Sequence, residues 1–179
     1  MTNFEYFSLF INTVTSLAIV VTVIYAALQF KRTAIIHEQN LEWSKRIETS
    51  KKLDDYNRLD SALFLNKKFK LIGRKHPLSV DVIKKVINED SKVAVHVNRL
   101  LNYYEALAIG IENNIYDEIF IKSTRRGAMI RTFISFEDYI KYDRKEGNKP
   151  LTYIKYEKLI KKWVDEEYQE QGLPILGNV

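Results

Sequence analysis

Between Glu5 and Lys31 the chain carries no charged side chain, a run of 25 residues whose densest apolar part is Leu17 to Leu28. At about 1.5 Å per residue such a helix is roughly 37 Å long, enough to cross the ~30 Å hydrocarbon core of a bilayer. A signal peptide, the usual rival reading, needs a basic start and a shorter apolar core. Here the first 30 residues hold neither Lys nor Arg, and Lys31-Arg32 closes the run as a stop-transfer pair does. The run therefore reads as a retained membrane anchor rather than a cleaved signal or the buried helix of a soluble domain. Asn12, Thr13, Thr15 and Ser16 make its outer end more polar. Helical Ser and Thr are tolerated in lipid because the hydroxyl can donate to a carbonyl one turn back.

Charge sets the orientation. Lys31, Arg32, Lys45, Arg46, Lys51 and Lys52 follow the run and no basic side chain precedes it. The positive-inside rule then places the N-terminus outside the inner (plasma) membrane and the body in the cytoplasm. Tyr6, Phe7 and Phe10 suit the outer interface, and Phe30 the inner one. Ala18, Thr22 and Ala26 recur every four residues. Small side chains at that spacing let two helices approach closely in lipid, so a homo-oligomer formed through this face is an expectation.

Past the anchor, breakers are scarce: the whole chain has 6 Gly and 3 Pro. It has no Cys, which excludes disulfides, thiolate metal sites and thiol nucleophiles. Nothing interrupts a helix from Thr33 to about Leu65, and the thin apolar stripe of Ile36, Trp43 and Ile47 reads as a stalk, solvated or loosely paired. A better apolar face starts with Tyr56, Leu59 and Leu63 and ends at Gly73 and Pro77. Ser79 is a candidate N-cap for a short helix over 78–89 with Val82, Val86 and Ile87 inside. Ser91 opens the most regular helix, in which Val93, Val97, Leu100, Leu101, Tyr104, Leu107, Ala108 and Ile111 repeat at threes and fours. Gly110 within it suggests a close crossing by another helix, and 112–114 end it. Asp117 caps a further tract to about Asp143, with a bend expected near Gly127; a last helix from Thr152 turns Tyr156, Leu159, Ile160, Trp163 and Val164 inward and stops by Gly172. The expected fold is all-α: an anchor (1–32), a juxtamembrane helical stalk (33–52), a cytoplasmic bundle of four to five helices (53–171) and a tail (172–179).

The segments "LLNYYEALAIGIENNIYDEIFIK" and "PLTYIKYEKLIKKW" carry a resemblance. Leu101, Asn102, Tyr103, Tyr104, Glu105, Gly110, Ile111, Asp117, Glu118, Pro150, Leu151, Tyr153, Leu159, Lys162 and Trp163 follow a pattern similar to an uncharacterised bacterial family, a domain of unknown function. Where this chain has Asn114, that family often has Gly before the Asp-Glu start. The resemblance implies an N-terminal membrane helix and a helical cytoplasmic domain, and a stress or phage-defence setting. It implies no activity.

Chemistry-bearing residues are sparse. His37, His76 and His96 are far apart and form no metal-ligand spacing, so no metal or other cofactor is expected. Arg32 and His37 share the spacing of some helical ribonucleases, but five residues put them 140° apart on a helix. Asp54, Asp55 and Asp60 read as a solvated face. Glu105 lies in the most apolar helix and, if buried, needs a cation. Arg125, Arg126 and Arg131 are candidates, and a Glu105–Arg131 clamp fixing helix register is the expectation. Lys67, Lys68, Lys70, Arg74 and Lys75 interleave with Phe69, Leu71 and Ile72. That pattern suits anionic lipid at about 1 kcal/mol per basic residue near the surface; nucleic acid would use the same charges but is less expected, because the anchor already brings lipid near. The functional expectation is a non-enzymatic, membrane-anchored interaction protein binding a protein partner or itself. A tethered hydrolase or nuclease toxin using Glu105 or the aspartates, or a pore-forming effector, is the alternative.

Overall fold

The computed structural model describes residues 2–54, 56–74 and 76–170. It is all helix there: α1 (Asn3–Leu53), α2 (Tyr56–Phe69), α3 (Val80–Glu89), α4 (Lys92–Glu112), α5 (Glu118–Glu146) and α6 (Ile154–Glu170), with no strand among the described residues. The expectations at Gly172 and the tail 172–179, at Asp55 and at Lys75 lie outside the described residues. The chain divides into two units, 1–44 and 45–179.

The first unit is the greater part of α1. Its large apolar side chains, Leu17, Val21 and Ile24 among them, are exposed. The hydroxyls of Thr15 and Thr22 donate to the carbonyls of Ile11 and Ala18, four residues back.

The second unit is a bundle around α4, which packs against α2, α3 and α6, while α5 packs against α3 and α6. The regular α4 repeat is the reason for that central place. Val93, Val97, Leu100, Leu101, Tyr104 and Leu107 are all buried, and Tyr103 adds a neighbouring stripe. Tyr104 lies 5.3 Å from Tyr156, ring centre to ring centre, and Phe133 meets Tyr156 edge-on at 5.5 Å. The Tyr156 hydroxyl donates to the Met129 carbonyl, so the most deeply buried phenol of this cluster keeps a partner.

Several local expectations change: Leu59 and Leu63, expected on the apolar face of α2, are exposed. α1 does not continue to Leu65 but ends at Leu53. Leu53 and Leu65 are both buried, and the Tyr103 hydroxyl donates to the Lys52 carbonyl, one of the carbonyls a helix end leaves without a partner. α2 ends at Phe69, before Gly73: Lys70 adopts φ 51, the left-handed conformation that closes a helix, and Gly73 at φ 82 makes the next turn. In α3 the buried residue is Ile83, with Val86 and Ile87 partly buried, while Val82 is exposed. The Leu78 amide donates to the Ser135 carbonyl and sets the rotation of this short helix against α5.

The caps follow the sequence. Ser79 and Asp117 accept hydrogen bonds from the amides of Val82 and Phe120. Asn114 takes φ 58 after α4, and the amides of Ile115 and Tyr116 both donate to the Gly110 carbonyl. Gly110 is close-packed, but against the turn rather than another helix. A Cβ there would lie 2.1 Å from the Tyr116 ring.

Candidate functional site

The most unusual surface belongs to residues 6–30. Across the most apolar stretch of α1 no residue is buried, and it is the only described helix long and apolar enough to cross a membrane. Each such side chain in water forgoes roughly 1.5–3 kcal/mol relative to burial. Ala18 and Thr22 are exposed and Ala26 is half-buried, on one face of the helix. The Thr22 hydroxyl is spent on the Ala18 carbonyl, which leaves a methyl group and a flat strip at that face.

Glu105 is half-buried between buried Tyr104 and half-buried Ala106. Its Oε1 accepts from the Lys155 amide at 3.2 Å and its Oε2 from the Tyr156 amide at 2.7 Å. These are first-turn amides of α6, groups that a helix cannot satisfy internally and that carry its positive dipole end. Residue 153, which precedes α6, is a buried tyrosine at φ 56 and cannot cap through its side chain. Glu105 thus caps α6 from α4. No arginine expected as its partner is paired with it. Arg126 bonds Glu167 and the Trp163 carbonyl, and Arg131 is exposed and forms no ion pair with Glu105.

A second joint ties the end of α1 to the turn before α5. Thr49, fully buried, accepts the Asp117 amide at 2.8 Å and donates to the Lys45 carbonyl at 2.7 Å. Arg46 reaches the Asp117 carboxylate at 3.2 Å, and Lys45 reaches the Asn114 side-chain oxygen at 2.6 Å. Residues 45–53 therefore belong to the bundle through Thr49 and Leu53. Sequence reasoning missed Thr49. Its only signal was a four-residue spacing from Leu53.

Of the basic segment, Lys68 pairs with Asp90 at 2.9 Å, and Arg74 donates to the Phe69 carbonyl. Lys67 and Lys70 are exposed. His96 is stacked on Phe64 at 4.1 Å, with its Nδ1 3.1 Å from the hydroxyl of buried Ser61 and 3.9 Å from Asp60. A relay needs serine and carboxylate on opposite ring nitrogens. Here both address Nδ1, so the group resembles a triad in composition only.

A profile for DUF4760, a domain of unknown function, matches residues 16–163. The chain belongs to the DUF4760 family. No curated protein and no solved structure matches it.

The DUF4760 match starts within the apolar run and ends at Trp163, so it takes in both Glu105 and the α6 turn that Glu105 caps. Trp163 is fully buried, and its indole N–H donates to Glu118, which also accepts from Lys162. With Lys122–Glu166 and Arg126–Glu167, these bonds form a ladder between α5 and α6. The alternative hydrolase reading named Glu105 and the aspartates, of which Asp55 lies outside the described residues. Asp54 and Asp60 are exposed, and no group of three His, Asp or Glu suited to a metal occurs among the described residues.

Proposed function

We propose that this DUF4760 chain is a single-pass membrane protein that holds an all-α interaction domain at the cytoplasmic face of the inner membrane. The observation that carries the reading is the charge-free run 6–30, whose most apolar window contains no buried residue. A helix of that length and surface fits lipid as its solvent. The basic residues on its C-terminal side support a cytoplasmic body. Lys67 and Lys70 stand free for anionic lipid, and the strip at Ala18, Thr22 and Ala26 suits self-association. Glu105 serves as a cap and Glu118 and Glu166 as ion-pair partners, roles that favour binding over catalysis.

The absence of cysteine gives a clean background for a topology test. A membrane-impermeant maleimide should label Asn3→Cys in intact cells and Lys145→Cys only after lysis. Labelling of Lys145→Cys in intact cells defeats the orientation. Crosslinking in membranes should lose its dimer band when Ala18, Thr22 and Ala26 are changed to Ile, and an unchanged band removes self-association through this face.

A further inference from the structure

α2 is apolar on two faces, and the bundle covers one of them. Ser61, Leu65 and Phe69 are buried. Leu59 and Leu63, one turn apart on the other side, are 45 % and 63 % exposed. A helix at the edge of a bundle ordinarily turns its leucines inward and its charges out, so this second face stands without the cover its side chains suit.

The charges on the uncovered face are sorted by sign. Asp60, Leu63 and Lys67 follow at spacings of three and four, so they share one side of α2, and Lys70 follows at its C-terminal end. All four are exposed. Acid thus stands toward the start of the helix and base toward its end. Lys67 and Lys70 enter no ion pair among the described residues, and Asp60 has only the imidazole of His96, at 3.9 Å.

A face with this order is complementary to itself. When two such helices lie antiparallel with Asp60 of one opposite Lys67 of the other, the reverse pair forms by symmetry. The two-fold axis then passes halfway between positions 60 and 67, beside Leu63, so the two Leu63 side chains meet there. An anionic bilayer would attract Lys67 and Lys70 but repel Asp60, whereas a second copy satisfies Asp60 and Lys67 together.

We propose that the outer face of α2 is a self-association surface on which a second copy of this chain docks antiparallel, Leu63 against Leu63 and each Asp60 opposite the other copy's Lys67. A single helix pair falls short of the roughly 1,200 Å² buried in a stable interface. The contact is therefore weak, and it rests on the anchoring reading: copies held in one membrane meet at a raised effective concentration. It is separate from the strip at Ala18, Thr22 and Ala26, which lies in the apolar run.

The test uses the full chain, free of native cysteine, in phosphatidylcholine liposomes with and without phosphatidylglycerol. Under mild oxidation with copper phenanthroline, Leu63→Cys should give a disulfide-linked dimer. Ile119→Cys, at a position 82 % exposed on α5, should link only at the collisional background. Adding Asp60→Lys or Lys67→Asp to Leu63→Cys should cut the dimer yield about threefold or more, because each reversal turns both ion pairs of the symmetric contact into like-charge pairs. The two reversals together should restore it. No excess of dimer over Ile119→Cys, a yield indifferent to the single reversals, or no recovery in the double overturns the assignment. A thiol at Leu63→Cys that forms no dimer and is shielded from maleimide only when phosphatidylglycerol is present gives the face to lipid, and that also overturns it. Flotation with the liposomes after a carbonate wash reads the anchor separately. A missing dimer from chain that floats counts against this face alone, and chain that does not float overturns the anchor and this inference with it.

Discussion

At the residue scale, two positions concentrate the consequences. Gly110 is followed by a turn that lays the Tyr116 ring where a Cβ would be. Gly110→Ala should therefore lower stability by about 1–3 kcal/mol, the usual cost of forcing extra volume into a packed site, read as a fall in the urea midpoint at unchanged slope. Glu105 is the other. Its loss strips two α6 amides of their acceptor, and Glu105→Ala should cost about 1–3 kcal/mol in the same assay, with Glu105→Gln between it and the parent because one oxygen remains. That a carboxylate in an apolar α4 stripe must be satisfied was legible in the sequence. The identity of its partner was not, because sequence reasoning matches side chains to side chains and the donors here are backbone amides. Gly110 likewise announced a close approach without saying what approaches.

At the element scale, α6 is held to α5 by acids and bases whose protonation matters. Burial acts to raise the Glu118 carboxyl, but hydrogen bonds from Lys162 and the Trp163 indole outweigh it and hold the group below its ordinary 4.5. Glu157 is the same case: burial is overcome by Lys161 and Arg144, and the group again lies below 4.5. A carboxylate depressed on folding contributes stability that is complete above its unfolded value and vanishes as pH falls through its folded one. The urea midpoint should thus stay level from neutral pH to about 5 and drop below about 4.5. Glu118→Gln should lower the neutral-pH midpoint and flatten the acid limb. A parent midpoint that does not fall in acid contradicts the ladder's role. Elements with strong periodicity or a clear cap were readable: α4 from its threes and fours, α3 and α5 from Ser79 and Asp117. The break after Leu53 was not, because Asp54 and Asp55 disfavour helix only mildly and the decisive contact is the Tyr103 hydroxyl fifty-one positions on. In α3, two short turns left the inner face undetermined by one residue, and packing on α5 settled it on Ile83.

At the scale of the whole molecule, the chain joins an apolar helix with no protein cover to a bundle that buries Trp163, Tyr104, Tyr156 and Phe136 in its own core. The contrast is one of solvent: the bundle holds many of its charged groups in caps and ion pairs, whereas residues 6–30 carry no charge and expose large apolar side chains. That division was readable from charge spacing alone, since a stretch without charge is visible in any window. The central claim, that lipid is the medium of residues 6–30, is tested most directly by alkaline carbonate extraction of membranes from cells making the full chain. The parent protein should stay in the membrane pellet, and a Leu17→Lys, Val21→Lys variant should move to the supernatant. Release of the parent into the supernatant would contradict the account.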